Sequence, residues 1–452
     1  MSLISTSFRS QSISIARIGG PLIINFLAVA GMGLADTVMS GRLGADALAA
    51  VSVGHNTWML AFSGCMGVLM ALSPIIARHY GAGEVDKIGR YTRHGLYLGF
   101  ALGVVILLCG RPLANPFLTF IGIDTGFRNL TVDYVRALLF GAPGILMFIA
   151  LRFTSEGIGY TRPIMFTSVF SLICNVILNY ALMFGHFGAP ALGVEGCAYA
   201  SAITMWLVFF ALSLYMNVSP KLKQLKVFTR IGQFRPSLFT EVVRLGVPIS
   251  IMITAEVGLF AVVSILVGTR GVEITAAHQI AISYASAMFM IPLALSSATT
   301  VQVGHMLGAG RSADARTAGF AGITLSATFM AFSALVLLVF RDQIISFYTD
   351  DAVVTGIALS LLLVAAIFQV ADGVQISAAA VLRAYKDTKF PMAINIFAFW
   401  VVAFPLAYMA AITYQLPANQ IWVAFIAGLG VAAVLLTWRF NRLSRASLPS
   451  SS

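Results

Sequence analysis

Stretches of 18 or more apolar, nearly uncharged residues follow one another along this chain, beginning after Arg17. A helix of ~20 such residues crosses the hydrocarbon core of a bilayer, and only helices and closed barrels can satisfy their backbone groups there. Alternating strands of ~10 residues, the signature of an outer-membrane barrel, are absent. Charged residues make up 10% of the chain and mean hydropathy is +0.91, whereas a soluble domain averages about 25% charged. Lipid must therefore cover much of the surface. The net charge of +11 would raise nucleic acid as a partner for a soluble protein, but here the basic residues fall between the apolar runs. Membrane topology explains them, and no nucleic-acid partner is expected. The four cysteines lie in or beside apolar runs and form no CxxC pair, so neither a disulfide framework nor a zinc site is expected.

The hydropathy pattern predicts an all-α membrane protein with twelve spans, at roughly 14–39, 47–77, 92–110, 133–155, 163–184, 192–216, 242–267, 274–304, 317–340, 352–382, 391–413 and 418–438. The stretch 217–241 is the one polar linker, basic in character, between spans six and seven. With the N-terminus inside, 22 of the 28 Lys and Arg residues fall on the inner side and five on the outer, with Arg136 near a span end. This bias predicts both termini in the cytoplasm. One missed span would invert half of that tally.

The halves repeat at an offset of 227 residues: Pro21 with Pro248, Gly44 and Asp46 with Gly271 and Glu273, Gly81-Ala82-Gly83 with Gly308-Ala309-Gly310, and Thr161-Arg162 with Thr388-Lys389. Six spans per half is an even number, so both halves face the same way. The expected organisation is a six-helix N-terminal half over 1–216, the linker 217–241 and a six-helix C-terminal half over 242–452. Parallel repeats of this kind are one architecture of secondary transporters.

Three acids lie within spans: Asp36, Glu256 and Asp372. An ionisable group at that depth costs a few kcal/mol on insertion scales and is a functional candidate by default. With no Lys or Arg expected beside it, such a carboxylate has two inexpensive states, protonated or cation-bound, and a group that alternates between them couples ions. Carboxylate and carbonyl oxygens suit hard monovalent cations, so Glu256 and Asp372 are also candidate Na⁺ ligands. Helical spacing adds neighbours. Glu256 and Phe260 share a face, Gln369, Asp372 and Gln375 form a polar stripe, and Ser168, Ser171, Asn175 and Asn179 follow i, i+3, i+7, i+11. Span eight carries His278, Gln279, Ser283 and Ser286. Hydrogen bonding between helices is an equal reading of the Ser, Asn and Gln stripes. Asp350-Asp351 lies in an outer loop, where solvation alone or attraction of cations would each account for it. GxxxxGK[ST], HExxH and GxSxG are absent, which argues against ATP-driven transport by this chain alone and against an enzyme.

Several segments together resemble the multidrug and toxic compound extrusion (MATE) family, closest to its NorM-like branch. They are Leu34-Ala-Asp36-Thr-Val-Met39-Ser-Gly-Arg-Leu-Gly44, Gly157-Ile-Gly-Tyr-Thr161-Arg162-Pro163, Glu256-Val-Gly-Leu-Phe260, Ala277-His278-Gln279-Ile-Ala281, and Ala371-Asp372-Gly373 with Leu382-Arg383 and Asp387-Thr388. The resemblance implies two six-helix lobes and export of amphipathic organic cations in exchange for Na⁺ or H⁺, with no other cofactor. It implies ion coupling by Asp36, with Asn175 and Asn179 as its partners, and by Glu256 and Asp372. Phe260, Gln279, Asp350 and Asp351 lie where some members contact substrate, and some members carry an aspartate in place of Asn179. A monomer in the bacterial inner membrane is expected. The alternative is a flippase of lipid-linked or polar metabolites, which would need a strongly cationic cavity where this chain places acids.

Overall fold

The computed structural model describes residues 2–228 and 235–448, almost all of them helical, with no strand among them. Among the described residues, twelve helices are long and apolar enough to cross a membrane. They are α1 Ser7–Gly41, α2 Ala45–Gly81, α3 Val85–Phe120, α4 Thr125–Gly157, α5 Arg162–Phe184, α6 Gly193–Val218, α7 Pro236–Gly268, α8 Val272–Gly308, α9 Ser312–Ser346, α10 Ala352–Ala384, α11 Lys389–Thr413 and α12 Ala418–Ala446. All twelve expected spans are present, with ends extended by several residues. Residues 229–234 of the expected linker, including Arg230, lie outside the described residues, and its last part, from Pro236, already belongs to α7.

Proline accounts for three of the helix irregularities. A proline at position i removes the hydrogen bond to the carbonyl of i−4. The ladder of α2 breaks at Met70 and Ala71 ahead of Pro74, α4 tightens into a 3₁₀ turn over Leu139–Gly141 ahead of Pro143, and α11 widens into a π turn over Phe397–Ala403 ahead of Pro405.

The 227-residue repeat is written into the backbone. The turns before α2 and α8 pass through Gly44 at φ 120° and Gly271 at φ 116°, a conformation that side chains rarely adopt. Gly83 and Gly310 match at φ 74° and 73°, and Gly159 at φ 74° matches Lys386 at 61°. Asp124 caps α4 by accepting from the Gly126 N–H. Its repeat mate Asp351 caps α10 by accepting from Val353 and Val354. Equivalent turns are thus closed by equivalent devices, which a shared offset in sequence alone could only suggest.

Packing divides the chain into two compact units, Gly20–Ser250 and the remainder, the start of the chain through Gly19 with Ile251–Ser452. The boundaries fall within α1 beside Pro21 and within α7 beside Pro248. In the first unit, Trp58, Leu118, Tyr134, Leu138 and Met183 form the core. In the second, Phe368, Phe399, Trp422, Phe425 and Phe440 form a larger aromatic core, and the opening residues pack on this unit in a separate small cluster of Ile15, Leu295 and Ala298, with a Gln302 Nε2 to Gln11 Oε1 bond of 2.6 Å.

Candidate functional site

Each unit holds a buried centre built on the span acids expected from the sequence. In the unit Gly20–Ser250, the polar stripe of α5 runs against a matching stripe on α1. Ser168 Oγ donates to Asn25 Oδ1 at 2.6 Å, Ser171 Oγ lies 3.2 Å from Met32 Sδ, and Asn179 Nδ2 donates to Asp36 Oδ1 at 2.5 Å. The same Asn179 amide donates to Asn175 Oδ1, and Asn175 Nδ2 in turn donates to Ser201 Oγ on α6, both at 3.2 Å. Cys197, one turn before Ser201 on α6, also faces the Asp36 carboxylate. Asp36, Asn175 and Asn179 are all buried. Asn179 Oδ1 is buried with no hydrogen-bond partner among the described residues. The centre therefore presents a carboxylate and a free amide oxygen side by side. Asn25, Cys197 and Ser201 were not singled out from sequence. The i, i+7, i+11 spacing of Asn25, Met32 and Asp36 on α1 is the signal that could have found Asn25.

In the second unit, α7 contributes Glu256 and α10 contributes Asp372, with Gln375 lying against Glu256. The two carboxylates are close enough to repel one another. Asp372, Gln369 and Gln375 are buried. Asp372 Oδ1 and the amide oxygen of Gln375 have no hydrogen-bond partner among the described residues, and the Gln375 amide nitrogen faces Glu256. Here too carboxylates stand beside a free amide oxygen. The sequence reading expected no basic group near these acids, but Arg383, three turns along α10, is buried at 2% exposure and its charge acts on Glu256. Arg152 and Glu156 near the end of α4 are buried as well. The Arg152 guanidinium sits between the rings of Phe26 and Phe153, and Glu156 Oε1 accepts from Ser73 Oγ at 3.1 Å. A tally of loop charges treats such groups as solvated, and packing here overrides it.

His278 is a structural group. Trp422 Nε1, which can only donate, gives its proton to His278 Nδ1 at 2.9 Å. Nδ1 therefore accepts, the ring proton is on Nε2, and that nitrogen donates to Ser264 Oγ at 2.9 Å while Ser264 donates to the Phe260 carbonyl at 2.8 Å. The ring is neutral and ties α7, α8 and α12 together. Phe260 stacks on Phe425 with ring centres 4.6 Å apart, one turn from Glu256. Gln279 is exposed and reaches only Ser283, at 3.4 Å. Asp350 and Asp351 are exposed at the start of α10, and Asp351 serves as its N-cap. Twenty-one residues of helix separate Asp351 from Asp372, roughly 30 Å at the ordinary rise. Asp350 and Asp351 are thus far from the Glu256–Asp372 centre, whereas Phe260 adjoins it.

Twelve helical spans among the described residues, a repeat at 227 residues and a buried acid centre in each unit are the anatomy of a secondary transporter. The MatE family model matches residues 21–181 and again 248–409, two matches that start 227 residues apart, and the chain belongs to this transporter family. It is 34% identical, over 97% of its own length and 97% of theirs, to the multidrug resistance protein NorM of Vibrio vulnificus strains YJ016 and CMCP6. Its fold is similar to that of the eukaryotic MATE transporter AtDTX14 (TM-score 0.87, 21% identity, 98% of this chain and 99% of that one). It is similar also to the outward-facing form of a multidrug resistance MATE transporter of the MOP superfamily (TM-score 0.89, 21% identity, 97% and 96%).

Proposed function

We propose that this transporter exports amphipathic organic cations in exchange for inward Na⁺ or H⁺, from a bacterial inner membrane, as a monomer with both termini cytoplasmic. One observation carries the reading: each unit buries carboxylate oxygen beside an unpartnered amide oxygen, Asp36 with Asn179 in one, Glu256 and Asp372 with Gln375 in the other. Carboxylate and amide oxygens are hard donors, suited to a monovalent cation or a proton. The names of the Vibrio relatives favour drug-like cargo. The flippase reading is disfavoured because the buried centres hold acids.

The mechanism follows from charge. Glu256 and Asp372 repel, and either a proton or a Na⁺ ion between them relieves that repulsion. An organic cation relieves it as well, so ion and cargo compete for the same negative charge. The sequence halves 1–216 and 242–452, joined by 217–241, are the two lobes whose rearrangement carries this competition from one face to the other. Asp36 with Asn175 and Asn179 is a second ion centre, and Phe260, one turn from Glu256, offers an aromatic face to the cargo. Gln279, Asp350 and Asp351 are outer contacts for cargo on its exit path. A ~100 mV potential contributes about 2.3 kcal/mol per charge moved, enough to sustain a useful gradient from one coupled charge. Calorimetric titration of the purified protein with ethidium tests the competition. Raising Na⁺ or lowering pH should weaken ethidium binding in wild type and leave Glu256→Gln unaffected. Binding indifferent to both ions would refute shared charge.

A further inference from the structure

The segment that follows α6 is a strap rather than a free tether. Leu222, Leu225 and Val227 are buried, while Lys221, Lys223 and Lys226 between them are exposed. The inner face is seated on α3 with backbone-level closeness: a Cβ on Gly89 would stand 2.0 Å from the Leu225 carbonyl oxygen. One turn further, Arg93 Nη1 donates to the Lys226 carbonyl at 2.8 Å. Beyond the strap, the Arg235 N–H donates to His94 Nε2 at 2.9 Å. The first lysine is fixed too, with Lys221 Nζ over the Tyr160 ring at 5.3 Å and Tyr160 bonded to Tyr215 on α6.

The backbone that carries the three lysines is therefore held, and their side chains are exposed on its outer face. It begins three residues after α6 ends at Val218, where Leu214 and Val218 are exposed apolar side chains on a helix that spans the membrane. Glu84, Asp86 and Glu241 lie at or just before the starts of α3 and α7. Lys87 and His79 bond Glu84 at 2.7 and 2.6 Å and hold its carboxyl below the usual carboxylate range, and Glu241 accepts from the Tyr91 hydroxyl. Asp86 stands in the same turn as Lys87.

We propose that Lys221, Lys223 and Lys226 form a docking face for the headgroups of anionic phospholipids at the membrane surface. Lipid tails lie along Leu214 and Val218, and the phosphates meet the lysines. The burial of Leu222, Leu225 and Val227 keeps the strap from swinging away when lipid is absent. A basic residue near an anionic leaflet contributes about a five-fold factor at low salt, so the three together should contribute on the order of a hundred-fold in association.

The test measures association of a fluorescent phosphatidylglycerol with the purified full chain in zwitterionic micelles. Wild type should bind it far more tightly than fluorescent phosphatidylcholine, with the preference falling steeply as salt approaches 1 M. The triple variant K221Q/K223Q/K226Q should lose most of that preference, while K221R/K223R/K226R retains it. A Gln variant that keeps the full preference would overturn the proposal, as would a wild type indifferent to headgroup charge. Displacement of the lipid by millimolar inorganic phosphate would overturn it too, since the site would then read free phosphate rather than the membrane. Transport by the Gln variant is a separate readout, so failure here leaves the antiport reading untouched.

Discussion

Gly89→Ala is the change that most directly probes how the segment after α6 is held against α3. The new Cβ would stand 2.0 Å from the Leu225 carbonyl oxygen, against an ordinary C···O approach of about 3.3 Å. The strap must retreat by more than an ångström, because the obstacle is backbone and cannot rotate aside. That retreat stretches the Arg93 to Lys226 bond and loosens Leu222, Leu225 and Val227. Overpacking of this kind costs about 1–3 kcal/mol, and at about 1.4 kcal/mol per decade the opened strap becomes about 5- to 150-fold more populated. Limited trypsin digestion read by mass spectrometry reports it, because cleavage after Lys223 and Lys226 requires local opening and tracks the opened population. The control is Gly20→Ala, where the added carbon meets nothing within 4 Å. Equal cleavage rates in the two variants would refute the docked strap.

Asp351→Ala removes the acceptor for the Val353 and Val354 N–H groups and should lower stability by about 1 kcal/mol, while Asp351→Asn, itself a good cap, should not; thermal unfolding decides between them. Trp422→Phe leaves His278 Nδ1 buried without a donor and should cost about 1–3 kcal/mol in the same assay. His278→Gln should leave the shape of the transport pH profile unmoved, since the ring is held neutral between Trp422 and Ser264; a displaced profile would show the ring carrying protons. Asn179→Ala removes the 2.5 Å donor to Asp36, and a hydrogen bond to a charged group is worth about 1.5–3 kcal/mol, so ion-driven flux should fall about ten-fold or more in vesicles at equal protein content.

The spans and the repeat were legible because both are periodic and local: lipid demands uninterrupted apolar runs, and duplication leaves the same turn residues 227 apart. The stripe Ser168, Ser171, Asn175, Asn179 was legible for the same reason, as one face of one helix. Its partners Asn25, Cys197 and Ser201 were not, because helical spacing says which residues share a face and nothing about which helix that face meets. The burial of Arg383 near Glu256 was not legible for a related reason. A charge near a span end can lie in water or be packed inward, and only the neighbouring helices decide. Asp351 was weighed as a solvated or cation-attracting acid, yet its repeat mate Asp124 already marked the position as a cap. The strap escaped because its alternation of Leu and Lys is too short to stand out within a basic linker.

Ion-driven efflux of ethidium from proteoliposomes tests the central claim most directly, with Na⁺ and pH gradients imposed separately on wild type, Glu256→Gln and Asp372→Asn. The account predicts that wild type expels the dye under one of these gradients, and that both variants lose at least nine-tenths of that flux while keeping the wild-type unfolding temperature within a few degrees. Undiminished ion-driven efflux in either well-folded variant would contradict it.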